Sequence, residues 1–91
     1  MPKYHELKTW PIYFSAIVRG DKTFEVRLND RGFQPGDYLI LKEYDPQKKE
    51  YTGRVTVKYV QYILNDSLDG IDDGYVIMSL FPNRLGCTAH T

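Results

Sequence analysis

Gly20-Asp21-Lys22-Thr23-Phe24-Glu25-Val26-Arg27-Leu28 is the stretch on which the fold turns. Gly20 supplies the left-handed residue that ends helices. From Thr23 the period drops to two, with Phe24, Val26 and Leu28 pointing one way and Thr23, Glu25 and Arg27 the other, which predicts a half-buried strand resting on its apolar side. Upstream, Thr9-Trp10-Pro11 reads as a helix start, because proline in the first turn lacks only an N–H that would have been unpaired. Ile12/Ala16 and Tyr13/Ile17 then fall at i,i+4, so one short helix is expected over about residues 10–19.

Working outward, Asn29-Asp30-Arg31-Gly32 is a polar loop and Gln34-Pro35-Gly36-Asp37 a turn. Tyr38 to Tyr44 is a second strand, buried on both faces near its start, and Asp45 to Glu50 a solvated hairpin loop. A long strand is expected from Tyr51 to Tyr62, with Val55, Val57 and Tyr59 alternating against Thr56, Lys58 and Val60, and a last strand from Gly74 to Leu80. A short strand at His5–Lys8 opens the chain. The expectation is a mainly β, α+β domain with one or two short helices and an antiparallel or mixed sheet. One helix on so small a sheet would leave edges exposed, which favours a small closed or nearly closed barrel.

Ninety-one residues make one domain, assigned to residues 1–81, with 82–91 expected to be a flexible tail. The twelve basic and twelve acidic residues cancel, which excludes a uniformly basic domain that clings to phosphates by charge alone. The balance is uneven: residues 1–34 carry +2, residues 35–64 carry +1 and residues 65–91 carry −3. An anion-binding face is therefore expected in the first two thirds. The single cysteine, Cys87, permits no intrachain disulfide, no apolar signal core opens the chain, and no apolar run approaches the ~20 residues of a membrane span. The expected location is cytoplasmic, with no membrane contact, in a monomer or weak dimer of bacterial or phage origin.

Among residues able to carry chemistry, Glu25 and Arg27 lie two apart on one strand face, roughly 6.5–7 Å at the backbone, so they can pair or grip one ligand together. Lys22 at the strand mouth adds a mobile ammonium. Two cationic donors and one carboxylate acceptor suit a base edge or a phosphate. The plainer reading is a solvated strand face with an incidental salt bridge, worth at most ~1 kcal/mol.

The run Gly20-x-Lys22-x-x-Glu25-x-Arg27, preceded by the helix and followed by Phe33-x-Pro35-Gly36-Asp37-x-Leu39, resembles the activating signal cointegrator homology (ASCH) domain, a member of the PUA-like superfamily of small β-barrels. His5-x-Leu7-Lys8, Tyr13-Phe14, Asn29-Asp30-Arg31 and Tyr51-Thr52-Gly53-Arg54 further resemble an uncharacterised bacterial and phage branch of that superfamily. The resemblance covers residues ~5–80 and implies a cleft beside the helix that binds RNA or a nucleotide-like ligand through Lys22, Glu25 and Arg27.

It also implies an enzymatic alternative, since one branch of these domains is similar to metal-independent amidohydrolases acting on acetylated cytidine with a lysine, a threonine three residues later and a distant glutamate. Lys22 stands at the lysine's place, but Glu25 occupies the threonine's, and the only downstream glutamates, Glu43 and Glu50, sit in no recognisable motif. A Lys–Glu pair forms an ion pair sooner than an activated nucleophile. On that alternative Lys22 and Glu25 would be catalytic. A third reading, an accessory protein-interaction module, rests on the neutral charge and the abundance of tyrosine.

Other residues draw weaker readings. His5 is either a hydrogen-bonded structural histidine or a donor to ligand, and Lys8 a snorkelling surface lysine or a phosphate contact. Arg31 and Arg54 are phosphate contacts outside the cleft. Trp10 reads as a helix anchor, with base stacking the alternative, and most of the eight tyrosines as core or rim residues. No cofactor or metal is expected. Cys87-x-x-His90 offers two of the about four ligands zinc needs, and Asp66, Asp69, Asp72 and Asp73 lack the spacing of a calcium loop.

Overall fold

The computed structural model describes residues 2–82. Its elements are β1 (Tyr4–Thr9), α1 (Pro11–Arg19), β2 (Phe24–Leu28), β3 (Tyr38–Asp45), β4 (Glu50–Leu64) and β5 (Tyr75–Pro82). The five strands form one curled half-barrel sheet in the order β1-β3-β4-β5-β2, and α1 is the single helix among the described residues. β1 pairs parallel with β3, and every other pairing is antiparallel. The mixed, mainly β architecture matches the sequence expectation.

The barrel is open where the sequence reading favoured closure or near-closure. β1 and β2 are the two ends of the sheet and do not pair with each other. Lys3 O accepts from Tyr38 N on β3, so the alternation of a strand aims the carbonyls of Glu6 and Lys8 away from β3, toward β2. Those carbonyls receive side chains instead of main-chain N–H groups: Arg31 Nη1 donates to Glu6 O at 2.9 Å and Arg27 Nη2 to Lys8 O at 3.0 Å. Two guanidiniums bridge the seam.

Leu7, Ile17, Phe33, Leu39, Leu41, Val60, Val76, Met78 and Leu80 form the core. α1 lies over it on buried Phe14 and Ile17, while Ile12 is 73% exposed, so the helix rests on an i,i+3 face and not on the Ile12/Ala16 pair. Gly20, at φ 89°, caps the helix, and the turn it allows brings Asp21 N and Lys22 N onto Ala16 O at 2.9 and 3.0 Å. Lys22 is thereby aimed back over the start of β2.

β2 is inside out. Its alternation is as the sequence predicts, but Phe24, Val26 and Leu28 are 44%, 49% and 48% exposed, whereas Glu25 is 4% exposed and Arg27 half-buried. The apolar side turns outward, in register with Ile77 and Tyr75 of β5, and the charged side faces the interior. An edge strand can do this because the seam beside it is a cleft and not packed core.

Pro82, expected to begin the tail, is the last residue of β5 and pairs with Lys58 of β4. Residues 83–91, including Cys87 and His90, lie outside the described residues. In the acidic loop, Asp66 accepts from Gly74 N at 2.7 Å and Asn65 from Ser67 N at 3.0 Å, which shapes the turn before β5. Among the described residues no helix is long and apolar enough to cross a membrane, and no group of three or more His, Cys, Asp or Glu side chains converges as a metal site would require.

Candidate functional site

A cleft of about 670 Å³ opens along the free edge of β2, lined by Lys8, Thr9, Trp10, Tyr13, Asp21, Lys22, Phe24, Glu25, Val26 and Arg27. That volume is in the range of small-molecule sites. The wall comes from the end of β1 and the first turn of α1, whose 10/13 spacing sets Trp10 and Tyr13 on one side. The floor comes from β2, whose inverted face carries Glu25 and Arg27 inward.

Glu25 organises the floor. Its Oε1 accepts from Lys22 Nζ at 2.6 Å and its Oε2 from Arg27 Nε at 2.7 Å. Lys22 Nζ also donates to Phe24 O at 2.6 Å and lies 4.9 Å from the Phe24 ring centre and 5.7 Å from that of Tyr13. The ammonium expected to be mobile is pinned and mostly buried. A carboxylate so deep is tolerated because both oxygens meet charged donors, and charge-assisted bonds are the strong ones. Arg27 has three N–H groups beyond those given to Glu25 and Lys8 O, and its guanidinium lines the cleft on one side and a smaller cavity on the other.

Around this ionic floor the rings are open. Trp10 is 49% and Tyr13 52% exposed, and with Phe24 they border the mouth. Trp10, read first as a helix anchor, is a cleft residue: α1 is held by Phe14 and Ile17, which leaves the indole outside the core.

The remaining sequence candidates divide. Lys8 lines the cleft, its Nζ 4.1 Å from the centre of the Tyr44 ring. Arg31 lines the smaller cavity, of about 170 Å³, with Leu7, Arg27, Leu28, Asp30 and Phe33. His5 lines neither cavity: its Nε2 is 2.8 Å from Asp37 Oδ2 and its ring packs edge-on to Phe33, behind the wall of the smaller one. Burial pushes the Asp37 carboxyl up, but the bonds from His5 and from the Lys3 and Gln34 N–H groups, with the His5 charge, outweigh it and hold the pKa below the ordinary 3.8. Arg54 stands over the Phe14 ring at 4.9 Å and 3.7 Å from Glu43, also outside the cleft.

Glu43, a downstream glutamate in no recognisable sequence motif, is buried, accepting from Thr52 Oγ1 at 2.7 Å. Its signal was the period-two run Leu39, Leu41, Glu43, which places it on the inner face of β3.

A family model described as Domain of unknown function (DUF3850) matches residues 4–80, which include every residue of both cavities. The chain is also similar to an uncharacterized 12.9 kDa protein in the GpA 3' region of Escherichia phage P2, with 35% identity over 78 residues, 86% of this chain and 68% of the phage protein.

Proposed function

We propose, for a chain that belongs to the DUF3850 family, an ASCH-type, PUA-like binding domain whose cleft takes an unpaired nucleotide, either free or within single-stranded RNA. The observation that carries this reading is the pairing of exposed rings with a buried ionic floor. Trp10, Tyr13 and Phe24 offer π-faces at the mouth, and below them Lys22, Glu25 and Arg27 are held in fixed positions by one another. Stacking on aromatic side chains contributes about 1–3 kcal/mol per base without regard to sequence. Fixed donors and an acceptor then read a base edge with little ordering cost. The charged lining residues sum to only +1, which suits a ligand of one or a few nucleotides better than a long duplex.

The amidohydrolase alternative is less well supported. Among the described residues Lys22 Nζ bonds to Glu25 and to Phe24 O, and to no hydroxyl that it could activate. An accessory protein-interaction role has no comparable cleft chemistry behind it.

Trp10 is the only tryptophan of the chain and stands in the cleft, so binding has a built-in reporter. Titration with short single-stranded RNA and with the four ribonucleosides should quench its fluorescence, with a shallow salt dependence. Arg27→Ala should weaken binding clearly. No quenching at low salt by any of these probes, or Arg27→Ala binding like wild type, overturns the reading.

A further inference from the structure

The two cavities are neighbours along one seam. Along β1 the cleft touches Thr9 and Lys8, with Trp10 just beyond the strand, and the smaller cavity begins at Leu7. Their lining residues on β1 are therefore consecutive, Leu7 preceding Lys8 by about 3.3 Å along the strand and facing the other side of it. Arg27 lines both and is the wall between them.

The smaller cavity is dominated by its arginines. Arg31 donates one N–H to Glu6 O, and Arg27 one to Lys8 O. These carbonyls are two residues apart on one strand, roughly 6.5–7 Å, so the two guanidiniums are anchored at neighbouring points of one edge. Each keeps at least three N–H groups with no protein partner among the described residues. Asp30 is the opposing charge: its Oδ1 lies 3.9 Å from Arg31 Nε, too long for a hydrogen bond, and both side chains are solvent-exposed. Glu25, which pairs with Arg27 from the cleft side and is shared with Lys22, adds a second carboxylate and a third cation, so these groups together keep a net charge of +1. The cavity walls, Leu7, Leu28 and Phe33, offer no other polar side chain to use the remaining donors.

A pair of guanidiniums held by main-chain carbonyls keeps its remaining N–H donors in fixed positions, and an anion with several acceptor oxygens can take donors from both. We infer that the smaller cavity is a phosphate site, and that the ligand of this domain is a phosphorylated nucleotide: its base lies on the rings of the cleft and its phosphate sits between Arg27 and Arg31. The inference rests on the nucleotide-binding reading of the cleft and adds to it a second contact point across Arg27. It also gives a role to Arg31, which lies outside the cleft and shares that role with Arg27.

The test separates the inference from the reading beneath it. The probes are the four ribonucleosides and their 5'- and 3'-monophosphates, titrated against Trp10 fluorescence in wild type, Arg31→Gln and Arg31→Lys. In wild type a monophosphate should bind about tenfold or more tightly than its nucleoside, because charge-assisted bonds to phosphate each contribute about a decade. Inorganic phosphate should compete with the monophosphate and not with the nucleoside. In Arg31→Gln the ratio of monophosphate to nucleoside affinity should fall toward unity, and Arg31→Lys should restore part of it. Nucleosides that bind as well as their monophosphates in wild type, a measurement that needs no variant to fold, overturn the phosphate site and leave the cleft reading standing. An affinity ratio unchanged in Arg31→Gln does the same. No binding of any probe overturns both.

Discussion

The ionic floor of the cleft can be tested through stability alone, before any ligand is known. Glu25→Ala removes a carboxylate that is 4% exposed and leaves an ammonium and a guanidinium facing one another across the space. Were this an ordinary solvated pair, the loss would be at most about 1 kcal/mol. Were it fully buried, breaking it would cost roughly 3–5 kcal/mol, because the orphaned partners stay desolvated. Lys22 and Arg27 retain 17% and 27% of their side-chain exposure, so water recovers part of the loss, and about 2–4 kcal/mol is expected. That is a large share of the roughly 5–15 kcal/mol that holds a domain together.

Urea unfolding followed by Trp10 fluorescence reads this as a midpoint lowered by about 2–4 M, with an m-value near 1 kcal/mol/M for a chain of this size. The sign of a second substitution is more telling. Lys22→Met should destabilise the wild type but be neutral or stabilising in the Glu25→Ala background, where it relieves like-charge repulsion. A Glu25→Ala loss below about 1 kcal/mol, or an equal cost of Lys22→Met in both backgrounds, would refute the account of a shared buried carboxylate.

Two further outcomes follow from the same geometry. Because Asp37 is held below its ordinary pKa of 3.8, the native state binds fewer protons than the unfolded chain in acid; its contribution is present above that value and is lost as pH falls through the lower folded one. Unfolding midpoints measured between about pH 6 and pH 3 should therefore fall less steeply in Asp37→Asn than in wild type, and parallel curves would contradict this. The inside-out strand makes the second: Val26→Lys should change stability by less than about 0.5 kcal/mol, whereas Val76→Ala, on the buried face of the adjacent strand, should cost roughly 1–3 kcal/mol. Similar losses for both would mean that the outer face of β2 is covered.

Most of the fold was legible because its signals are local. Pro11 and Gly20 bracket the helix, and the period-two runs mark β2 through β5 within a few residues of where they lie. What periodicity cannot state is which side of a strand is the inside. The apolar side of β2 was assigned to the core on the general rule, and the rule fails there because Glu25 finds one cation three residues before it and another two residues after. Those spacings were in view; that they solvate a buried carboxylate depends on Gly20 turning the chain so that Lys22 comes back over the strand. Trp10 was misplaced for a related reason. A tryptophan at a helix start is ordinarily its anchor, but Phe14 and Ile17 fill the core here and leave the indole at the mouth of the cleft.

Incomplete closure of the barrel and the existence of the site are one feature. Had β2 continued the ladder onto β1, its N–H groups would have satisfied Glu6 O and Lys8 O, and a main-chain seam only about 4.8 Å wide would have left no room beside it. Arginine side chains satisfy those carbonyls from a greater distance, so the edges stand apart and the space between them is the cleft. Both guanidiniums retain donors after bridging the seam. The groups that complete the sheet in place of a fifth pairing are therefore the same groups that remain available to a ligand, and a domain of zero net charge acquires a local cationic edge without a basic surface.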